Sequence, residues 1–154
     1  MHHGVKGMKW GVRKQEKKLY RERRRELSEQ QRKIDKQAAL DRNENKKRYK
    51  DYLQSTKQAY KSKKIDRHQY KASKKNISNT YRVAQGQLEV NRLVTQYGYE
   101  KAHKANKLVY IKNIKTENSR AYRKGQRSLN RSIEYYKGYR IAKIGNNYNI
   151  TQVG

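Results

Sequence analysis

Between Lys14 and Ser62 the chain contains neither Gly nor Pro, and Lys, Arg, Glu, Gln, Leu and Ala dominate. These residues favour helix, and nothing in the interval breaks one. Apolar residues recur at Tyr20, Leu27 and Ile34, then Ala38, and later at Tyr49, Leu53 and Tyr60. The period of roughly 3.5 to 3.6 gives a narrow stripe, too thin for a globular core and suited to one partner helix. The spacing predicts one helix over 14–62, on the order of 70 Å long. Glu22, Glu26 and Glu29 lie at helical spacings from Lys18, Arg25 and Lys33, as in a solvent-exposed or paired helix.

The rest of the composition agrees with a thin interior. Of 154 residues, 8 are Leu, 9 Ile and 7 Val, with no Phe, Pro or Cys. The large aliphatic set is therefore about 16% of the chain, below the roughly 20% at which a highly charged chain is expected to lack order by itself. Backbone ordering costs roughly 1–2 kcal/mol per residue. The offset must come from the 14 Tyr residues, from a partner's counter-charge, or from assembly. The expectation is a chain that is not an independent compact globule.

After Ser62, the segment Lys63-Lys64-Ile65-Asp66 reads as the bend of a helical hairpin. Asp66 is the expected N-cap, with Gln69 completing a capping box and Ile65 and Tyr70 placed for a hydrophobic staple. A second set of basic helices is expected over 67–137. The first presents Tyr70, Ile77, Tyr81, Ala84 and Leu88 and weakens at Gly86 or Gly98. A further stretch near 99–115 presents Leu108, Ile111 and Ile114; another, near 117–136, presents Tyr122, Leu129, Ile133 and Tyr136. From 138 to 154 the pattern alternates on both sides of Gly145-Asn146-Asn147, which predicts a β-hairpin lying on a helix or adding to a neighbour's sheet edge. The fold class is mainly α: a long helical hairpin, shorter helices, a small C-terminal β-hairpin and an extended N-terminal arm.

Charge is the strongest functional signal. Lys and Arg number 41 against 13 Asp and Glu, a formal net charge of +28 with a pI near 10.3. From Arg67 onward the chain holds 19 basic and 4 acidic residues, so the cations there have little internal compensation. Cations interleave with Tyr at Lys74, Lys75, Arg82, Arg120, Arg123, Lys124, Arg127, Arg131, Lys137 and Arg140. Such side chains neutralise phosphates and release counterions, so sequence-independent nucleic-acid contact is the expected use. The plain alternative is a solvated basic face with Tyr as the packing residue. No helix-turn-helix, zinc-finger or RNA-recognition signature supports base readout.

Catalytic constellations are not visible. His2, His3, His68 and His103 have no adjacent nucleophile or carboxylate cluster, and the zero Cys count removes disulfides and Cys-based zinc sites. Gly4, Gly7 and Gly11 lack the Lys-Ser/Thr ending of a phosphate loop. The reading is therefore non-enzymatic, without cofactor or metal. No run of about 18 apolar residues is present, nor the apolar stretch of a signal peptide, so no membrane span is expected, and the thin, Tyr-rich apolar stripe disfavours binding of a basic helix to a membrane surface.

The N-terminal stretch 1–13 is expected to be an extended docking arm. It carries Val5, Met8, Trp10 and Val12 between Gly4, Gly7 and Gly11, and Trp10 is the single Trp of the chain. An exposed Trp between glycines calls for a partner's pocket. The run from His3 to Lys14 (HGVKGMKWGVRK) resembles an element of small structural and head-morphogenesis proteins of tailed bacteriophages and prophages of Gram-positive bacteria. The likeness covers 12 of the 154 residues. It implies an assembly context, a phage virion or its morphogenesis; combined with the arm and the charge, the expectation is a virion protein, present in the host cytoplasm during assembly, with capsid or portal subunits as partners and multiple copies per particle. Two alternatives stand beside it: a self-assembling connector or scaffold without DNA contact, and a non-virion basic regulator of a host nucleic-acid enzyme.

Overall fold

A computed structural model describes residues 10–115 and 118–154. It contains α1 (Trp10–Lys61), α2 (Arg67–Ile114), α3 (Arg120–Leu129) and three strands, β1 (Ile133–Tyr136), β2 (Tyr139–Ile144) and β3 (Asn147–Gln152). The chain divides into two compact units, one of residues 33–93 and the other of the chain up to Arg32 with Val94–Gly154. Both long helices contribute to both units. Among the described residues the enclosed apolar side chains are Leu93, Tyr97 and Ile141, so the interior is as thin as the composition requires.

The unit of residues 33–93 is a helical hairpin. Lys63 N–H donates to the Tyr60 carbonyl at 3.1 Å and Lys64 N–H to the Ala59 carbonyl at 2.9 Å. This pair of bonds closes α1 as a Schellman motif, with Lys63 in the left-handed region (φ +56°) where Gly is usual. The expected capping box then opens α2: Gln69 N–H donates to Asp66 Oδ1 at 2.7 Å, and Asp66 N–H to Gln69 Oε1 at 3.0 Å. Tyr70 stacks on Tyr60 (centroids 4.7 Å) and Tyr49 on Tyr81 (4.5 Å), so aromatic faces join the two arms.

In the other unit Tyr20 stacks on Tyr110 at 4.8 Å, and the buried Asn106 amide donates to the Tyr20 carbonyl at 3.2 Å. The sheet is antiparallel in the order β1-β2-β3. Ile141 lies opposite both Glu134 and Ile150, which places these three residues on the inner face. The β1–β2 turn has Lys137 at φ +48° and Gly138 at φ +81°, the two positive values of a type I′ turn. In the β2–β3 turn only Gly145 is positive (φ +62°), as at the first central position of type II′.

Four expectations are corrected. The arm over 1–13 does not extend through its last residues: Trp10–Arg13 form the first turn of α1. Gly11 sits where backbone N–H groups lack intrahelical partners in any case, and the long run behind it propagates the helix. Val5 and Met8 lie outside the described residues. Helix α2 does not weaken at Gly86 or Gly98, since a cost of about 1 kcal/mol at each is absorbed by 48 cooperative residues. The basic helices do not run to 137. Helix α3 ends at Leu129, and Ile133 and Tyr136 belong to β1, where β-branched and aromatic residues precede a Lys-Gly turn. The β-hairpin over 138–154 is thereby part of a three-stranded sheet. Its turn is Gly145-Asn146, with Asn147 opening β3.

Candidate polyanion-binding face

Helix α3 owes its position to one small residue and one half-buried ion pair. A Cβ on Gly125 would lie 2.8 Å from Leu108 Cδ1, so the absence of a side chain leaves room for the Leu108 side chain against α3. The Ser119 side chain caps the helix by accepting from Tyr122 N–H at 3.2 Å, and Asn130 N–H returns to the Gln126 carbonyl at 3.0 Å. Beneath the helix, Lys101 Nζ donates to the Ser128 carbonyl at 3.1 Å and to Glu134 Oε1 at 2.9 Å. The Lys101 and Glu134 side chains are 14% and 12% exposed. Tyr97 completes the cluster, with its hydroxyl on Glu134 and its ring 5.4 Å from the Lys101 ammonium. Burial opposes the Glu134 charge, but hydrogen bonds from Lys101 and Tyr97 outweigh it and hold the carboxyl below its ordinary value. The same burial, with Glu134 beside it, pushes the Tyr97 phenol well above its ordinary range.

With Tyr122, Gly125, Ser128 and Leu129 half-buried, the opposite side of α3 carries Arg120, Arg123, Lys124 and Arg127, all exposed. Arg131 follows just beyond the C-cap. These spacings of three and four place the four helical cations on one face, about 10 Å from end to end. They line an open groove of about 1080 Å³ together with Lys115, Ser119, Ala121, Ser128 and Arg131. A neighbouring groove of about 630 Å³ shares Arg123, Arg127 and Arg131. Among the described residues no carboxylate lines either groove. The described acids after Arg67 are engaged elsewhere: Glu89 pairs with Arg92 at 2.6 Å, Glu100 accepts from the Tyr136 hydroxyl at 2.7 Å, and Glu134 belongs to the half-buried cluster.

The structure thus gathers five of the ten cations singled out by sequence: Arg120, Arg123, Lys124, Arg127 and Arg131. Lys137 instead braces its turn, donating to Gln96 Oε1 at 3.1 Å and lying 5.1 Å from the Tyr136 ring. Arg140 is exposed on the outer face of β2. Lys74, Lys75 and Arg82 belong to the hairpin unit, all exposed. There Lys74 lies 5.4 Å from the Tyr70 ring and lines a groove with Lys57 and Lys61. Sequence reading missed Lys115, because its place beside α3 depends on how the ends of α2 and α3 come together in space. It also missed the arginine face of α1 at Arg21, Arg24, Arg25 and Arg32, which shares a groove with Glu29. The spacing of these arginines was legible, but the same stretch read as salt-bridged. Of the pairs expected there, Lys18–Glu22 closes to 3.9 Å.

Trp10 is 91% exposed and Val12 is exposed on the first turn of α1. Among the described residues no group of three His, Cys, Asp or Glu side chains is placed to hold a metal ion, and no helix is long and apolar enough to cross a membrane.

In comparisons with known proteins, residues 1–17 match a family of unknown function (DUF7211). That match contains the whole HGVKGMKWGVRK element. No curated protein and no solved structure matches the chain.

Proposed function

We propose that this is a non-enzymatic, virion-associated structural protein of a tailed phage that contacts packaged DNA through the cationic face of α3. The observation that carries the DNA contact is the set of five cations, Arg120, Arg123, Lys124, Arg127 and Arg131, gathered along two adjoining grooves that no carboxylate lines among the described residues. Even if every acid in the chain were paired one to one, 28 cations would remain for an external counter-charge. Duplex DNA supplies one charge per roughly 1.7 Å of its axis, so a face about 10 Å long meets several phosphates. The contact is sequence-independent, since a face of Arg and Lys pairs with the phosphate backbone and the sequence carries no base-reading signature.

The N-terminal segment is the anchor in this reading. Trp10, exposed at the start of α1, inserts into a capsid or portal subunit, supported by Val12 and by the preceding Val5 and Met8. The phage setting rests on the resemblance of the HGVKGMKWGVRK element. The protein acts in the virion and passes through the host cytoplasm during assembly.

The test is the affinity for random-sequence duplex DNA measured across NaCl. Neutralising about 8 phosphates gives a log–log slope near −7, and replacing the four α3 cations and Arg131 by Gln should reduce its magnitude by about 4 to 5. A flat salt response in the wild type, or an unchanged slope in the variant, removes α3 from the contact.

A further inference from the structure

Strand β3 is an edge: it pairs with β2 on one side, and among the described residues no strand pairs with its other side. We infer that this edge pairs with the β3 edge of a second copy of the chain, joining two three-stranded sheets into one of six strands.

Three observations carry the inference. First, Ile144 to Gly154 is the longest uncharged run in a sequence of which 35% is charged. In a protein of net charge +28, two copies approach with least repulsion along this segment. Natural edge strands are commonly guarded against pairing by Lys, Pro or bulges, and β3 has none of these. The other edge, β1, is four residues long and follows directly on the cations around Arg131.

Second, the hydrogen-bond phase of β3 is fixed. Val153 N–H donates to the Gly138 carbonyl at 2.9 Å. Backbone groups alternate in direction along an antiparallel strand, so Asn147, Asn149 and Thr151 bond to β2. The N–H and C=O groups of Tyr148, Ile150 and Gln152 therefore face outward.

Third, those outward groups are self-complementary. A two-fold axis at Ile150 sets Ile150 opposite its mate and Tyr148 opposite the mate's Gln152. Every outward group is then paired, and all three residues stay on the face that Ile150 shares with Ile141. Shifting the register by two residues leaves at least one outward residue unpaired, and a shift of one mixes the two faces. The side chains of Asn149 and Thr151 meet across the seam on the outer face, both exposed.

The inference is tested on the full chain, free of nucleic acid, by sedimentation equilibrium in about 0.5 M NaCl, where self-repulsion is screened. The wild type should show a concentration-dependent monomer–dimer equilibrium. The double substitution Asn149→Lys/Thr151→Lys sets like charges opposite each other twice and should weaken dimerisation by about tenfold. Asn149→Glu/Thr151→Glu should weaken it similarly, and mixing the two variants should restore a dimer at least as tight as the wild type. Gln152→Pro removes one outward N–H without touching the β2 ladder, and should weaken the dimer even if a charged variant fails to fold. A wild type that is monomeric at every accessible concentration overturns the inference. So does a dimer insensitive to these substitutions, or charged variants that do not prefer each other.

Discussion

Replacing Glu134 by Gln isolates the half-buried cluster beneath α3. The substitution keeps the shape and an acceptor for Tyr97, but leaves the Lys101 ammonium with the Ser128 carbonyl and the Tyr97 face alone. Stranding one charge of a fully buried pair costs about 3–5 kcal/mol. Here the side chains retain 14% and 12% exposure, and two of the Lys101 contacts survive. The expected loss is therefore smaller, about 2 kcal/mol, or about 4–8 °C in Tm for a chain of this size. The assay is thermal unfolding followed by far-UV circular dichroism in high salt, with wild type and variant compared over a pH series. Glu134 titrates below its ordinary value of 4.5 in the folded protein. Its contribution is thus complete above that value and disappears as the pH falls through the lowered one. The gap between the two proteins should be widest at neutral pH and close in acid. Equal Tm values at pH 7, or a gap that persists unchanged in strong acid, would refute the argument.

Lys63→Gly should raise the stability of the hairpin by about 0.5–1 kcal/mol, because the φ of +56° suits Gly better than a residue with a Cβ; a lower urea midpoint would count against it. Gly125→Val drives its side chain into Leu108 and should cost about 1–3 kcal/mol by the same measurement, and an unchanged midpoint would show that the Leu108 side chain turns aside freely. Trp10→Ala should leave helicity intact yet abolish incorporation into particles, and equal incorporation of the two proteins would show that the anchor lies elsewhere.

The elements most legible in sequence were those governed by local chemistry. The Gly- and Pro-free run announced α1, and Asp66 with Gln69 announced the start of α2 to the residue, because a capping box is written within four positions. The boundary between α3 and β1 was not readable in the same way. Tyr122, Leu129, Ile133 and Tyr136 fit a helical spacing, and only the pairing of Ile133–Tyr136 with β2 decides for strand. Gly86 and Gly98 misled for a related reason, since a local penalty says little about a long cooperative helix. At the candidate site the α3 cations were visible as a cluster in sequence. The cluster that positions them was not: Lys101, Glu134 and Tyr97 are up to 37 residues apart, and none of the three stands out by local pattern.

The stacked tyrosines of the hairpin carry an evolutionary consequence. Tyr49 and Tyr60 are eleven positions apart on one arm, as are Tyr70 and Tyr81 on the other. Deleting a single residue between either pair would turn one ring about 100° away from its mate. Length changes in descendants of this chain should therefore come as matched gains or losses on both sides of the bend, leaving the rungs aligned while the arms grow or shrink.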